Sequence, residues 1–343
     1  MKQNIALIYG GNSSEVEISV LSGLNVSSLI NRDLYNVYEI LLKGNSWRLL
    51  NPDGQTTNQE VALNHLKDII DSKESNIGVE VDKNDFSFTY NNIKTTFNYA
   101  YIVIHGTPGE NGLLQGYLEM LNIPYNTCSA LTSAITFDKY SCKRFLDNIG
   151  IKLAKDIYIN KGVEYSCQEI VEKLGLPIFV KPTQGGSSFG ITKVKSIEQL
   201  QPAIELAFTE YDAIIIEESI EGREFTNGVC KINSSNMVEF PVTEIVTDRE
   251  FFDYEAKYEG DSQEICPAKI SDSLTKEIQE SSCKIYNYLS CKGLVRFDYI
   301  VKGNDIYFLE INTVPGMTNM SLIPQQARVA GFNLSELITS TIE

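Results

Sequence analysis

Two apolar runs late in the chain, "LVRFDYIV" and "IYFLEIN", are separated by the turn-forming stretch "KGND", so residues 294 to 312 read as a β-hairpin. Alternate residues of a strand share a face, which puts Arg296 with Asp298 on one strand and Glu310 with Asn312 on the other. Register decides whether these four polar groups meet. A two-residue turn at Gly303-Asn304 pairs Lys302 with Asp305, sets Asp298 opposite Leu309 and leaves Glu310 on the other face. A three-residue loop from Gly303 to Asp305, or an equivalent bulge, sets Asp298 opposite Glu310 and Arg296 opposite Asn312. Only then do Asp298, Glu310 and Asn312 offer three converging oxygens, a set that suits Mg²⁺, a hard cation bound by a few carboxylates together with substrate phosphates. The plain alternative is a solvent-facing strand surface of alternating polarity.

Upstream, "IALIYGG" followed by "NSSEVEISVLSGLNVSSLI" reads as strand, glycine turn and helix, with Val16, Val20 and Leu24 at helical spacing and Ser14 with Glu17 as a capping box. "NVYEILL" and "YAYIVIHG" read as further buried strands, separated by a polar region around 51 to 97 with one amphipathic segment, "VALNHLKDII". Alternation of strands and helices predicts a parallel sheet. A helix is expected from about residue 136, then strands at "LPIFVKP", "GITKVK" and "AIIIEESI". The 343 residues suit two or three units on a prior of ~150 residues each, and the divisions expected are 1–126, 127–219 and 220–343. The first is an α/β domain; the last two carry α/β and α+β character.

The balance of 29 basic and 45 acidic residues gives a net charge of −16, which opposes binding to nucleic acid or an anionic membrane. No stretch approaches the ~18 apolar residues of a membrane span, and the N-terminal stretch reads as a strand and not a signal peptide, so the cytoplasm is the expected compartment. Seven scattered cysteines with no Cys-x-x-Cys spacing predict buried free thiols.

In "VKPTQGGSSFG" an apolar strand ends at Lys181, and Gly185, Gly186, Ser187 and Ser188 follow. Glycines let backbone amides approach a phosphate, and small hydroxyls add donors. The loop is neither a Walker A motif nor a dinucleotide fingerprint, and a hairpin tip fits it equally well. Lys181 weighs toward an anion, because an ammonium leaving a buried strand either snorkels to water or meets a negative group.

Together with the hairpin, "HGTPGENGLLQGYLEMLNIPY", "DKYSCK", "KPTQGGSSFG" and "FFDYEAKY", in order over nearly the whole chain, resemble the D-alanine:D-alanine ligase family of the ATP-grasp superfamily. The resemblance implies an N-terminal parallel-sheet domain followed by a two-part ATP-grasp fold. It also implies ATP-dependent joining of two D-alanine molecules through an acyl phosphate, for cell-wall precursors. ATP and D-alanine are the expected small-molecule partners, with two Mg²⁺ ions, or Mn²⁺ in their place, on Asp298, Glu310 and Asn312. Lys139 and Lys181 are expected at the phosphates, Glu217 and Ile220 at the adenine and Glu224 at the ribose. Glu15 is expected to hold the first ammonium, beside His105, and Arg296 with the Gly316 amide to stabilise the tetrahedral oxyanion. Ser321, Leu322 and Lys257 are expected at the carboxylate of the second substrate. Each has a plainer use: Glu217 as a strand-end acid, Glu15 as a first-turn acid, Ser321 as a helix start, Leu322 as core, and His105 as a hydrogen-bonded structural residue.

Between Ile245 and Cys266 lie about 20 residues without periodicity, long for a loop in a compact domain. By resemblance this segment is a lid, in which Tyr258 links to Ser187 and Glu15 and excludes water from the acyl phosphate. The same Tyr258 favours an amine nucleophile, since depsipeptide-forming relatives lack it. Phe252, Asn111 and Val16 depart from residues common in the family. Another ATP-grasp ligase with a second substrate such as D-serine, and a non-catalytic nucleotide-binding protein, are the competing readings. A homodimer is expected by resemblance alone.

Overall fold

The computed structural model describes residues 2–70, 78–186, 189–232, 236–247 and 262–342. The N-terminal part runs β1 (Gln3–Gly10), α1 (Val16–Leu29), β2 (Tyr35–Lys43), β3 (Ser46–Leu49), α2 (Gln59–Ile70), β4 (Val79–Glu80), β5 (Ser87–Tyr90), β6 (Ile93–Thr96), β7 (Tyr99–Ile102) and α3 (Leu113–Met120). Its sheet has the order β4-β3-β2-β1-β7. β1 lies parallel to β2 and β7, as the alternation predicts, whereas β3 and β4 add an antiparallel edge. That edge follows from the turn at Gly44-Asn45, which is too short for a parallel crossover. β1 is apolar throughout because both its faces are covered: Ile5, Leu7 and Tyr9 enter one core, Ala6 and Ile8 the other. The expected capping box at Ser14 is absent. α1 starts after Glu15, which is its N-cap and makes no side-chain cap bond. Ser13 instead donates its hydroxyl to the His105 carbonyl at 2.7 Å, tying the loop after β1 to the loop after β7.

Next come α4 (Ala130–Phe137), α5 (Lys139–Asp147), β8 (Asp156–Asn160), α6 (Cys167–Leu174), β9 (Ile178–Pro182), β10 (Thr192–Val194), α7 (Leu200–Glu210) and β11 (Ala213–Glu218). The strands form an antiparallel sheet in the order β10-β9-β11-β8. The single helix expected near residue 136 is two. Asp138 is extended between them, and its side chain accepts from the Ser141 N–H to cap α5.

The last part holds β12 (Arg223–Ile232), β13 (Asn236–Glu239), β14 (Thr243–Thr247), β15 (Ser262–Ile265), α8 (Asp272–Tyr288), β16 (Val295–Lys302), β17 (Asp305–Asn312), α9 (Leu322–Val329) and α10 (Leu334–Ser340). Its sheet runs β15-β14-β12-β16-β17, with β13 beside β12. One face packs Phe225, Phe297, Tyr299 and Phe308 against α8 residues such as Ile278 and Ile285. The opposite face receives α9. Gln326 spans the sheet there, accepting from the Gly228 N–H at 3.0 Å and donating to the Thr226 carbonyl at 3.1 Å. A Cβ at Gly228 would stand 2.4 Å from Ile323 Cδ1 and 2.7 Å from Gln326 Oε1. Gly228→Ala is therefore expected to cost about 1–3 kcal/mol, the usual penalty of overpacking, read as a lower denaturant midpoint at unchanged slope.

α9 and α10 do not pack only on their own sheet. Ile323, Ala327, Leu337 and Ile338 join Val16, Val20 and Val26 of α1 in one core, so the chain's two ends close on each other. Asn25 Nδ2 donates to the Met317 carbonyl at 2.7 Å, and the Met317 N–H donates to Ser22 Oγ at 3.1 Å. Among the described residues no helix is long and apolar enough to cross a membrane. All seven cysteines are free thiols.

Candidate active site

The hairpin of β16 and β17 turns through two residues, Lys302 pairing with Asp305, yet Asp298 lies opposite Glu310 and Arg296 opposite Asn312. Both hold because the register shifts between Asp298 and Tyr299. Tyr299 pairs with Phe308, so Leu309 is the extra residue of a β-bulge. The bulge resolves a conflict of faces. Ile306, Phe308 and Ile311 all pack on the apolar core, and a regular strand would send Ile311 outward and Glu310 inward. The condition set for a metal site is met by a bulge, not by the three-residue loop.

Across the sheet, Thr226, Asp298 and Glu310 form one row and Gly228, Arg296 and Asn312 the next, while Glu224, opposite Ile300, extends the same face. Arg296 forks onto Asp298, Nε to Oδ1 at 2.9 Å and Nη2 to Oδ2 at 2.8 Å. A cavity of about 320 Å³ opens on this face, and Arg296, Glu310 and Asn312 line it. Among the described residues no three His, Cys, Asp or Glu side chains cluster tightly enough to hold a metal alone. Two carboxylates and a carboxamide nevertheless fit Mg²⁺, which completes its shell with phosphate and water.

The two lysines expected at the phosphates come from two elements. Lys139, at the start of α5, donates from Nζ to the Gly185 carbonyl at 2.9 Å and lines the cavity with Gly185 and Gly186. Burial holds its ammonium below the usual range, and the charge of Glu310 pulls it back up. Lys181, next to last in β9, pairs with Glu217 of β11 at 2.8 Å. Lys143 of α5 also pairs with Glu217, and with Asp156 at 2.8 Å. Burial pushes the Glu217 carboxyl up, but Lys181 and Lys143 outweigh it and hold the group down to about 2. Ile220 and Glu224 are half-buried beyond this cluster, and Lys181, Glu217, Ile220 and Glu224 do not line the cavity. Lys143 closes "DKYSCK", yet its role cannot be read there, because its two partners are distant in sequence.

At the other end stand Glu15, His105 and Gly316. A Cβ on Gly186 would lie 3.1 Å from Glu15 Oε2, so Glu15 reaches the glycine loop. His105 Nδ1 lies 2.8 Å from the Val314 carbonyl, and Nε2 lies 3.3 Å from Ser22 Oγ. A carbonyl only accepts, so Nδ1 carries the hydrogen and Nε2 accepts from the serine. Burial lowers the His105 pKa, against the charge of Glu15, so the ring is a neutral brace. Ser321 stands at the N-cap position of α9 without a side-chain cap bond, and its Oγ accepts from the Thr318 N–H at 3.0 Å. A Cβ on Gly316 would stand 2.8 Å from that Oγ, so a glycine is required there. Leu322 lines the wall beside it. Ser187, Lys257, Tyr258 and Phe252 lie outside the described residues. Asn111 bonds within its own loop, to Thr107 Oγ1 and the Leu113 N–H, and Val16 is core.

Glu110 is the wall residue that sequence reasoning passed over, although it stands in "HGTPGENG". Its carboxyl accepts from the Gly106 N–H at 2.6 Å and the Val314 N–H at 3.4 Å, clamping the Pro315-Gly316 turn to the loop after β7. Burial pushes it up to about 7, against those backbone donors. A carboxyl raised in the folded state stabilises fully below its ordinary 4.5, and that contribution is lost as pH rises to about 7. Glu110→Gln, fixed in the neutral form, is expected to gain melting temperature relative to the parent between those pH values, and a difference constant with pH would contradict this.

Residues 4–128 match the family model "D-ala D-ala ligase N-terminus", and residues 146–343 match "D-ala D-ala ligase C-terminus". The chain belongs to the D-alanine:D-alanine ligase family. A D-alanine–D-alanine ligase of Phocaeicola vulgatus is 45% identical over 100% of this chain and 99% of that protein. One from Parabacteroides distasonis is 46% identical over 100% of this chain and 97% of its own length. Among solved structures, the VanG D-Ala:D-Ser ligase of Enterococcus faecalis superposes with a TM-score of 0.86 at 32% identity, covering 99% of this chain and 98% of that one. The D-alanine–D-alanine ligase of Bacillus anthracis complexed with ATP gives 0.75 at 28%, covering 100% and 96%. The architecture is the ATP-grasp fold of these ligases, behind an N-terminal α/β unit. This family makes D-alanyl-D-alanine for peptidoglycan synthesis at the expense of ATP.

Proposed function

We propose that the cavity is where this ligase joins two D-alanine molecules, ATP first phosphorylating one carboxylate and the amine of the second displacing phosphate from the D-alanyl phosphate. The observation that carries the reading is the bulged register, which turns Arg296, Glu310 and Asn312 toward one cavity that Glu15 and Lys139 also face. Lys139 and Lys181 bind the ATP phosphates as point charges, Glu217 and Ile220 hold the adenine, and Glu224 the ribose hydroxyls. Asp298, Glu310 and Asn312 would hold two Mg²⁺ ions, or Mn²⁺, whose charge offsets that of the phosphates. Glu15 takes the ammonium of the first D-alanine. Arg296 and the Gly316 N–H are fixed donors for the tetrahedral oxyanion, held ready by the Asp298 fork on one side and the Glu110 and His105 braces on the other. The carboxylate of the second D-alanine goes to Ser321, Leu322 and Lys257.

On this reading Tyr258 and Ser187, both outside the described residues, would link to Glu15 when substrates are bound. The chain works in the cytoplasm, as a homodimer, and divides at 1–126, 127–219 and 220–343. The test is product analysis with ATP, Mg²⁺ and D-alanine as the sole amino acid, with D-serine added in a second arm. ADP, phosphate and D-alanyl-D-alanine in equal amounts are expected. No turnover until D-serine is present would overturn the choice of second substrate.

A further inference from the structure

Glu264 is a cavity-lining carboxylate that the reaction as described leaves without a task. It lies on β15 opposite Ile245, which lies opposite Glu224 of β12, so it shares the sheet face of Asp298 and Arg296. Gln325, in the first turn of α9, donates from Nε2 to Glu264 Oε2 at 2.5 Å and to the Met320 carbonyl at 2.6 Å. That amide fixes the carboxylate beside the start of the helix. There Ser321 is the N-cap, makes no side-chain cap bond, and leaves the Leu322 and Ile323 N–H groups for another acceptor, Pro324 having none. Ser321, Leu322 and Ile323 line the cavity with Glu264 and Arg296. One wall thus presents an anion-binding helix start and, bolted to it, a carboxylate. Among the described residues no ion pair to Glu264 is present. Burial pushes its carboxyl up, and the Gln325 amide and Arg296 pull it back, so a cation brought alongside would be favoured.

Resting on the ligase reading above, we infer that Glu264 receives the ammonium of the second amino acid as it docks, before that group releases the proton it must lose to attack as a free amine, while the start of α9 receives its carboxylate, making Glu264 a determinant of specificity for an amino acid over a 2-hydroxy acid. A zwitterion satisfies both halves of this wall. A hydroxy acid of the same shape offers the carboxylate alone and leaves Glu264 desolvated without a charge partner, which is the stronger form of discrimination.

The test is Glu264→Gln, which keeps the size and an oxygen for Gln325, with Glu264→Asp as the charge-retaining control. Initial rates give the two D-alanine KM values and that of ATP, and dipeptide against depsipeptide is quantified with D-lactate in competition. For Glu264→Gln the second-site KM is expected to rise about tenfold or more, the worth of one hydrogen bond to a charged group. The first-site and ATP values should stay within about twofold, and the dipeptide share should fall in proportion. Glu264→Asp should recover part of the loss. An unchanged second-site KM and product ratio, in a chain that makes dipeptide, would overturn the inference and leave the ligase reading standing. A parent chain that releases no ADP with D-alanine overturns the ligase reading, and the inference with it.

Discussion

Arg296→Met is expected to lower kcat by about 10²–10³-fold, the usual cost of removing one fixed donor from a developing oxyanion, with the KM for ATP little changed. The guanidinium is suited to that task by its restraint: its side chain is 13% exposed, and two hydrogen bonds to Asp298 set its plane. A donor already held at its working position loses nothing to reorganisation when charge develops. Arg296→Lys should recover little, because an ammonium cannot reproduce the fork onto Asp298. Single-turnover formation of ADP and of dipeptide separates the two halves of the reaction. If Arg296 acts on the tetrahedral oxyanion, dipeptide formation falls further than ADP formation; an equal fall would assign it to phosphoryl transfer.

The second large effect concerns stability. Lys143→Met is expected to destabilise the chain by about 3 kcal/mol, at the lower end of the range for breaking a buried pair. Its side chain is 5% exposed and those of Asp156 and Glu217 are 6% and 12%, so two carboxylates would lose their common cation. The loss is kept at the lower end because Arg144 still reaches Asp156 and Lys181 still reaches Glu217, each at 2.8 Å. The pH dependence follows. The folded pKa of Glu217 is depressed from 4.5 to about 2, so its stabilisation is present above 4.5 and is lost as pH falls toward 2. Without Lys143 the folded pKa rises toward 4.5 and the acid-side loss from Glu217 shrinks, so the variant is destabilised most above 4.5 and its gap to the parent narrows as pH falls toward 2. Thermal melts of parent and variant across that window read both effects.

The hairpin was legible because a two-residue glycine turn between apolar runs has few alternatives, and the four polar residues on it follow from alternation. The bulge was legible only as a requirement. Its position is set by Phe308 and Ile311 both seeking the core, a break in alternation that appears once one knows which face the core occupies. α1 was readable from helical spacing and β1 and β2 from their apolar runs, while the break at Asp138 came from a cap that competes with a continuous helix. Glu110 and Lys143 were missed for one reason. Each acts through partners remote in sequence, Val314 for the first and Glu217 for the second, and spacing carries no information on such contacts. The same holds for α9 and α10, whose core partners lie on α1.

The most direct test of the account follows the substrate oxygen. With D-alanine labelled in its carboxylate by heavy oxygen, and with ATP and Mg²⁺, each turnover should move one labelled oxygen into the released phosphate, because a D-alanyl phosphate forms and its carbonyl is attacked by the second amine. Unlabelled phosphate alongside dipeptide formation would mean that no acyl phosphate forms, and would contradict the account.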